Sequence, residues 1–385
     1  GVAWTSLDQK QSVVQYGLTA DLGSEQQGAL RVFTPETHYD YYNATSAWVG
    51  TLHTAKMTDL LPGLTYHYRV GDGADLWSEV FTFKNINPAA ESMTYAIIGD
   101  MDFADASDAT VASLQRHRDA GEIAAVIHSG DISYADGYEP HFDAFFNKLQ
   151  PIASKVPYMA SPGNHEFWFN FTSFKNRFYM PGVIDEGGSG DSMYYSWNMP
   201  HVHFVSLNSE TPVDTANFNK EQIAWLAKDM KLVDRQVRPW VVSHFHRPMY
   251  CNDRDDTCVR QANVLKTEAE RIFYENEVNA VITGHVHAYE RTFPVYKEEK
   301  LSDNYEHMLE PYGGPVHLMQ GSSGNREGNK GSYPPADERP AWSAEALTQV
   351  GYALMTVSKD ALDWQFFESS VTGPDALLDH ITLTR

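Results

Sequence analysis

The chain has 385 residues, with 29 Lys and Arg against 51 Asp and Glu, so its formal net charge is −22. Its apolar content of 42% and aromatic content of 13% exclude a disordered, collagen-like or coiled-coil protein. The sequence contains no run of about 18 apolar residues, so no membrane span is predicted. The acidic charge argues against a protein that binds duplex nucleic acid, because such binding needs a basic face. Taken alone, this charge also predicts that anionic substrates are repelled.

Residues 1–86 are predicted to form an all-β domain. Short runs rich in β-branched and aromatic residues alternate with turn residues, which favours a small sandwich of the fibronectin III or immunoglobulin type. The chain begins at Gly1 without an initiator Met, which predicts a processed or trimmed chain. Because it opens inside a predicted strand, the first strand of the sandwich is expected to be missing. Residues 85–92 are predicted to be a linker. The predicted strands lie in 13–17, 47–52, 66–70 and 80–83.

Residues 93–385 are predicted to form a second, layered α/β (α+β) domain, because short apolar runs alternate with amphipathic stretches. Residues 219–234, with Asn219 as N-cap, and residues 262–279 are predicted to be helices. The tail returns to β structure in 351–357 and 362–367. The apolar runs are 95–98, 124–127, 156–160, 202–207, 240–242, 280–282 and 316–319.

Two features bear on the compartment. Asn43 and Asn170 each open an Asn-X-Thr tripeptide and are candidate glycosylation sites. The only cysteines, Cys251 and Cys258, lie in a polar loop. We favour a disulfide between them in an oxidising compartment over two idle cytosolic thiols. Such a pair leaves no cysteine for a covalent dimer, and the sequence does not predict the oligomeric state.

Polar clusters directly follow five of the apolar runs. In open α/β sheets, ligands bind beyond the carboxyl ends of strands, so these clusters are expected to converge if their strands are neighbours. Glycines in the clusters would let the backbone turn sharply. The clusters are Gly99-Asp100-Met101-Asp102, Gly130-Asp131-Ile132-Ser133-Tyr134, Gly163-Asn164-His165-Glu166, Ser243-His244-Phe245-His246 and Gly284-His285-Val286-His287.

The residue types in these clusters indicate a metal site. Carboxylates, a tyrosine, an asparagine and histidines form an oxygen and nitrogen ligand set without thiolate, which suits hard or borderline metals. The candidates exceed the needs of one ion, so two ions that share a carboxylate are the economical interpretation. Metal pairs of this kind hydrolyse phosphate esters. Each cluster alone has a simpler explanation as a turn or a core residue, and the joint occurrence favours the site.

The five clusters resemble the motif blocks of the purple acid phosphatases, a family of calcineurin-like metallophosphoesterases. The resemblance extends over most of the chain, including the N-terminal β region, which is similar to that family's fibronectin-like domain. It implies a fold with a central β-sandwich flanked by helices in a catalytic domain over 93–385. Tyr134 is the sharpest discriminator, since the wider superfamily generally lacks a tyrosine at this position and the family uses it as an iron(III) phenolate.

The resemblance also implies a ligand set. An iron(III) ion would be held by Asp100, Asp131, Tyr134 and His287, and a divalent zinc, iron or manganese ion by Asp131, Asn164, His244 and His285. A metal-bound hydroxide would then attack phosphorus, with Asn164 and His165 contacting the substrate and His165 assisting the leaving group.

This sequence departs from the family pattern in two places. Asp102 replaces a glycine, and it is expected either to alter the first metal site or to point to solvent. Histidines that many members carry after the fourth block are absent, and Asp253 and Arg254 stand there instead. His246 or Arg254 is therefore a candidate phosphate contact, with His246 also a candidate catalytic residue and a solvated charge the simpler interpretation of Arg254.

The main hypothesis is a secreted or lysosome- or vacuole-like acid phosphatase that hydrolyses small phosphate monoesters. Alternatives are a phosphodiesterase, nucleotide phosphatase or phytase with the same metal centre, or an inactive binding or adhesion module. Because the motifs hold only the metals and the phosphate, selectivity between these substrates is expected from loops such as 167–169, 187–190, 251–258 and 296–314. Two bound cations would reverse the local charge, so the net charge of −22 does not exclude a phosphate ester as substrate.

Overall fold

The computed structural model describes residues 1–7, 11–33, 48–182, 187–210, 220–254, 266–306, 308–309 and 312–385. Asn43, Asn219, Cys258 and the beginning of the predicted 262–279 helix lie outside these ranges. Among the described residues, no helix combines the length and the apolar character needed to cross a membrane.

The N-terminal region is made of antiparallel strands in two small sheets. One sheet has the order β1-β5-β4 and the other β3-β2-β6-β7. Val14, Tyr16, Tyr66 and Tyr68 are buried in a common core, which confirms the predicted all-β region. The strands are β1 Val2–Ser6, β2 Val13–Gly17, β3 Ser24–Gln27, β4 Ala29–Val32, β5 Thr51–Ala55, β6 Thr65–Gly71 and β7 Phe81–Lys84.

The rest of the chain contains two larger mixed sheets and a short hairpin. The strands are β8 Ser92–Ile98, β9 Ile123–Ser129, β10 Tyr158–Ser161, β11 Tyr195–Met199, β12 Val202–Ser206, β13 Trp240–His244, β14 Ala280–Thr283, β15 Tyr289–Thr292, β16 Val295–Tyr296, β17 Glu299–Lys300, β18 Val316–Gln320, β19 Ser343–Leu347, β20 Gly351–Ser358, β21 Ala361–Glu368 and β22 Ala376–Thr384.

The first large sheet has the order β10-β9-β8-β20-β21-β22, and the second β11-β12-β13-β14-β18-β15-β19. Strands β8, β9 and β10 are parallel to one another. Strands β12, β13, β14 and β18 form a second parallel set. Each parallel set therefore brings its carboxyl ends to one edge of its sheet, where the polar clusters were predicted.

Helices cover the outer faces of both sheets. They are α1 Asp108–Asp119, α2 Glu139–Ala153, α3 Trp168–Arg177, α4 Lys220–Asp229 and α5 Arg271–Glu275. A π-helical turn, Lys266–Glu270, precedes α5, and short 3-10 turns cover Asp105–Ser107, Asn164–Glu166, Met230–Leu232 and Ala336–Glu338. Leu226 of α4 and Phe273 of α5 pack with Val241 and Val281 on the outside of the second sheet.

The main core lies between the two large sheets. Tyr95 of β8 meets Phe204 of β12 edge to face, with 4.9 Å between ring centroids. Trp240 and Trp364 are fully buried in the same cluster. The architecture is thus a central β-sandwich flanked by helices, joined to an N-terminal β domain, as predicted. Tyr68 donates a hydrogen bond to the Ser154 carbonyl at 2.7 Å and so joins the two regions.

Candidate metal centre

Polar residues follow the carboxyl ends of parallel strands in both large sheets. The isolated bridge between Met101 and Ile132 keeps the chain parallel beyond β8 and β9, so the two aspartates before them stay adjacent. The residues at the strand ends are Asp100, Asp131 and Asn164 from the first sheet, and His246 and His285 from the second.

One group of side chains forms around Asp131. Ligand atoms of Asp131, His246 and His285 all lie within 4.8 Å of one another. His246 Nε2 is 3.1 Å from Asp131 Oδ2, 3.1 Å from Asn164 Oδ1 and 3.2 Å from His285 Nδ1. A carboxylate, an amide oxygen and two imidazoles therefore converge from four strand ends, as a metal ligand set requires.

His246 is oriented by the backbone. Its Nδ1 donates to the carbonyl of Ser129 at 3.0 Å, which leaves Nε2 facing Asp131. Metal-binding histidines characteristically donate their second ring nitrogen in this way. The close approach requires a glycine at 130, because a Cβ there would lie 2.5 Å from His246 Nδ1 and the φ angle is +83°.

A second group forms around Tyr134. Its hydroxyl lies 2.9 Å from His287 Nε2 and donates to Asp100 Oδ1 at 3.4 Å. His287 Nδ1 donates to the Gly328 carbonyl at 3.0 Å, so its Nε2 also faces the group. Asp100 is further held by the backbone N–H of His285, at 2.7 Å from Oδ2. The two histidines 285 and 287 thus serve different groups.

The two aspartates have opposite electrostatic surroundings. Burial raises the pKa of Asp100 well above its usual range, since neighbouring histidines only partly offset that effect. Burial also opposes ionisation of Asp131, but the nearby charges of His246 and His165 outweigh it and hold its pKa well below the usual range. The buried carboxylate of Asp131 therefore requires positive charge beside it, which a metal ion would supply.

His246 and Tyr134 show the same demand for positive charge. Burial opposes protonation of His246, but the carboxylates of Asp131 and Asp100 raise its pKa to about 10. Burial and the charge of Asp100 raise the pKa of the Tyr134 phenol well above its usual range. A tyrosinate can therefore exist at this position only when a cation lies beside it.

The backbone at the strand ends adopts left-handed conformations. Asp100, Asp131, Tyr134 and His285 have φ angles of 55°, 53°, 51° and 73°. For residues with a Cβ this conformation costs roughly 1–3 kcal/mol each and is concentrated at functional sites. Four of the predicted ligands therefore carry backbone strain that the surrounding packing must maintain.

His244 is not part of either group, although the sequence predicted it as a ligand. It is the last residue of β13, paired with Ser206 of β12, so it lies inside the sheet rather than beyond its end. Its ring meets the edge of Trp197 at 5.3 Å, and both ring nitrogens lack a hydrogen-bond partner among the described residues. Burial lowers its pKa to about 3. His246, predicted as a substrate contact, takes the place beside Asp131.

His165 lies at the edge of the Asp131 group. Its Nδ1 is 2.6 Å from Asp136 Oδ1, and its Nε2 is 3.9 Å from Asp131 Oδ2. The ring packs on Tyr134, with 4.2 Å between centroids. Burial opposes protonation, but the charge of Asp131 and the hydrogen bond to Asp136 raise the pKa of His165 to about 9. The side chain is thus a proton-bearing group held against the site by a carboxylate.

Glu166 connects two strand-end loops through the backbone. Its buried carboxylate accepts hydrogen bonds from the N–H groups of Gly163, Asp131 and Ile132, at 2.8, 3.0 and 2.9 Å. Burial and the charge of Asp131 raise its pKa to about 8. Sequence reasoning assigned Glu166 no role, because nothing in its spacing predicts bonds to a loop 35 residues away.

Asp102 does not point to solvent, since it is fully buried. Its Oδ2 accepts hydrogen bonds from Nε and the backbone N–H of Arg326, both at 2.8 Å. Oδ1 accepts from the N–H of Ala104 at 2.5 Å. The carboxylate therefore ties the loop after β8 to the loop after β18 and does not join the metal ligands. Asn325, next to Arg326, donates to the Asp100 carbonyl at 2.9 Å.

The remaining predicted residues lie apart from the two groups. Arg254 is 57% exposed and its guanidinium is 3.7 Å from Glu338, which matches the simpler interpretation of a solvated charge. Cys251 is buried, and its predicted partner Cys258 lies outside the described residues, so the disulfide stays a prediction. Asn170 is exposed, as a glycosylation acceptor must be, while Asn43 lies outside the described residues.

The described side chains fit a pair of metal ions. Six of the seven predicted ligands lie in the two groups, together with His246. Two histidines present Nε2 while Nδ1 is tied to a backbone carbonyl. The two buried carboxylates among them form no salt bridge with a lysine or arginine in the described part of the chain. Oxygen and imidazole ligands without thiolate suit hard or borderline metal ions and do not match a cysteine-based structural zinc site.

Comparisons with known proteins match most of the chain to one family of metal-dependent phosphatases. The calcineurin-like phosphoesterase profile matches residues 93–289, the purple acid phosphatase N-terminal domain matches 1–85, and the C-terminal region of iron/zinc purple acid phosphatase-like proteins matches 314–379. Acid phosphatase type 7 of Danio rerio is 34% identical over 91% of this chain and 80% of its own length.

Two further relatives extend the comparison. Purple acid phosphatase 18 of Arabidopsis thaliana is 33% identical over 91% of this chain and 74% of its own length. The structure of a purple acid phosphatase from yellow lupin seeds superposes with a TM-score of 0.81 at 24% identity, covering all of this chain and 71% of that one, which shows a shared fold. The chain belongs to the purple acid phosphatase family of dinuclear metallophosphoesterases.

Proposed function

We propose that this protein hydrolyses phosphate monoesters at acid pH with a dinuclear centre of iron(III) and a divalent zinc, iron or manganese ion. The observation that carries the proposal is the convergence of Asp131, His246, His285 and Asn164 beside the group of Asp100, Tyr134 and His287. Family membership supports the reaction class, and the donor chemistry supports the choice of metals.

In this proposal His246 replaces His244 in the ligand set. Asp100, Tyr134 and His287 would hold iron(III), because phenolate and carboxylate favour the harder ion. Asn164, His246 and His285 would hold the divalent ion, and Asp131 would be shared. When bound, the two ions would supply Lewis acidity and a nucleophile from water for attack on phosphorus.

The residues of this chain would then position the ester. Water adds to phosphorus, the bond from phosphorus to the alcohol oxygen breaks, and that oxygen takes up a proton. His165 Nε2 is assigned as the donor of this proton, and the Nδ1 contact with Asp136 at 2.6 Å fixes the ring for that role. Asn164 and His165 would contact the phosphoryl group.

Other features of the proposal concern the whole chain. The chain is proposed to contain two domains, residues 1–86 and residues 93–385, because the two regions form separate sheets. A Cys251–Cys258 disulfide and glycans at Asn43 and Asn170 are proposed, and they would place the protein in a secreted or vacuolar, oxidising compartment. An acidic compartment would also suit iron(III), which acidifies bound water more strongly than a divalent ion.

The test is a rate comparison on a phosphate monoester and the matched diester at pH 5, together with a visible spectrum. The proposal predicts faster monoester hydrolysis and a tyrosinate-to-iron absorption band. A Tyr134→Phe variant should keep its fold, measured by circular dichroism, and lose the band. A reconstituted protein that hydrolyses neither ester would overturn the proposal, and a diester preference would replace it with a phosphodiesterase.

A further inference from the structure

A pocket adjoins the candidate metal centre on the side of the first sheet. It has a volume of about 350 Å³ and is lined by Asp136, Asn164, His165 and residues 167–170. Asn164 and His165 also belong to the centre, so the pocket is continuous with it. An ester whose phosphoryl group lies at the metals, with its leaving oxygen at His165, would extend its organic part into this pocket.

The outer wall of the pocket is aromatic. Phe167 and Trp168 remain 48% and 41% exposed, whereas Phe171, in the same segment, is 1% exposed and belongs to the core. Phe167 packs edge to face on Phe171, with 5.4 Å between centroids, so it is supported from below. Two large exposed rings beside a catalytic centre are an unusual use of apolar surface and indicate a ligand contact.

The same carboxylate holds the aromatic wall and the catalytic histidine. Asp136 Oδ1 accepts a hydrogen bond from the Trp168 indole N–H at 3.0 Å and lies 2.6 Å from His165 Nδ1. The indole is therefore fixed relative to the imidazole that faces the leaving oxygen. Phe169, Asn170 and Phe171 have φ angles of 53°, 56° and 60°, a left-handed turn that residues with a Cβ adopt at a cost.

The charges near the pocket limit what it can accept. Besides Asp136, the carboxylate of Glu327 lies 3.8 Å from His165 Nε2. A leaving group with further phosphates would bring negative charge against these two carboxylates. A planar leaving group without charge would instead meet the faces and edges of two rings, the arrangement that aromatic pairs favour.

We propose that Phe167 and Trp168 form a leaving-group subsite that selects phosphate monoesters of planar, uncharged aromatic alcohols over aliphatic ones. This inference rests on the proposed monoesterase function and names its preferred substrate class. Trp168 acts by contact with the leaving group, and Asp136 fixes the position of the Trp168 indole relative to His165.

The test compares benzyl phosphate with cyclohexylmethyl phosphate, two esters of primary alcohols with similar size and leaving-group basicity. Wild-type kcat/KM should favour the benzyl ester by roughly three- to tenfold, the range expected for one aromatic contact. Trp168→Leu should remove most of this preference by slowing the benzyl ester. Trp168→Phe, which keeps a ring but loses the bond to Asp136, should retain it.

Two controls separate a contact from an indirect effect. Competitive inhibition by inorganic phosphate, which has no leaving group, should be unchanged in Trp168→Leu. The thermal unfolding midpoint should show that each variant is folded. If Trp168→Leu lowers kcat/KM equally for both esters, or weakens phosphate inhibition as much as it lowers kcat/KM for the benzyl ester, the subsite is overturned. Trp168 would then be assigned to the support of His165.

Asn170 supplies a third control, because it lines the pocket and is a predicted glycan acceptor. Thr172→Ala, which removes the glycan acceptor sequence but changes no residue that lines the pocket, should leave the preference for the benzyl ester unchanged. A preference that disappears in this variant would show that the glycan creates it and would contradict the subsite. If the wild type hydrolyses neither ester, the proposed function fails; if it hydrolyses both equally, only the subsite fails.

Discussion

The strand interiors and the loops beyond their carboxyl ends bury polar side chains in different ways. His128, His244 and His317 lie within strands, where burial lowers the pKa of each to about 3. His246 lies two residues beyond the His244 position, where nearby carboxylates raise its pKa to about 10. A histidine stays neutral and structural where the cost of burial outweighs the nearby charges, whereas burial among carboxylates creates a site for cations.

The backbone differs between the two regions as well. His244 continues the regular pairing of β13 with β12 and β14. The loops beyond the ends hold Asp100, Asp131, Tyr134 and His285 in left-handed conformations. The regular strands therefore supply the stability that maintains backbone strain in the loops. The functional residues are those that lie just beyond the hydrogen-bonded part of each strand.

The comparison is tested most sharply by replacing each of the two histidines in turn. His246→Ala is expected to lower kcat by roughly a thousandfold, because it removes a ligand from the Asp131 group. His244→Leu keeps a side chain of similar volume and breaks no hydrogen bond to a described residue. It should therefore change kcat by less than about threefold. Steady-state hydrolysis of one monoester by both variants checks this. A severe loss in His244→Leu with a native unfolding midpoint would contradict it.

A buried carboxylate inside a strand tests the comparison through pH. Burial raises the pKa of Glu290 in β15 to about 8, against 4.5 in its unperturbed state. Between these values the folded state binds more protons than the unfolded state, so the stability from this group is complete below 4.5 and is lost as pH rises through about 8.

Relative to Glu290→Gln, the wild-type free energy of unfolding should therefore fall by roughly 3 kcal/mol between pH 5 and pH 8. Urea unfolding of both proteins at the two pH values measures the difference. Parallel pH dependences would show that the carboxyl of Glu290 is already ionised in the folded protein at pH 5.

The pair of Asp102 and Arg326 tests how much one loop supports another. Asp102→Ala removes the acceptor for the N–H groups of Ala104 and Arg326. It should lower kcat by roughly tenfold, as loss of a residue that orients metal ligands does. The loss would act through Asn325 and Gly328, which contact Asp100 and His287. Arg326→Ala removes the same pair from the exposed side and serves as the matched variant. A kcat within twofold of wild type in both would contradict this support.

The smallest effect is expected at Arg254. Its guanidinium is 57% exposed and lies 3.7 Å from Glu338, itself 63% exposed, so solvent screens the pair. Arg254→Ala should change KM and kcat by less than about twofold. A large rise in KM in this variant would instead assign Arg254 to phosphate binding and extend the functional region beyond the strand ends.

The sequence predicts the strand-end clusters well, because the change from an apolar run to Gly and Asp is local. It cannot distinguish His244 from His246, since alternate residues share a face and the exact strand end depends on pairing with β12 and β14. The bond from Asp102 to Arg326 spans 224 positions, and no local pattern encodes such a contact. The sequence predicts the loop 167–169 as one source of substrate selectivity. It does not predict that Phe167 and Trp168 remain exposed, because their exposure depends on tertiary contacts.

The most direct test of the metal centre is the number of ions bound per folded chain, measured by elemental analysis after reconstitution with iron and zinc. Wild type and His244→Leu should each bind two ions, and His246→Ala should bind one because its divalent site is incomplete. Two ions in His246→Ala together with fewer in His244→Leu would contradict the assignment, and one ion or none in the wild type would contradict the dinuclear centre itself.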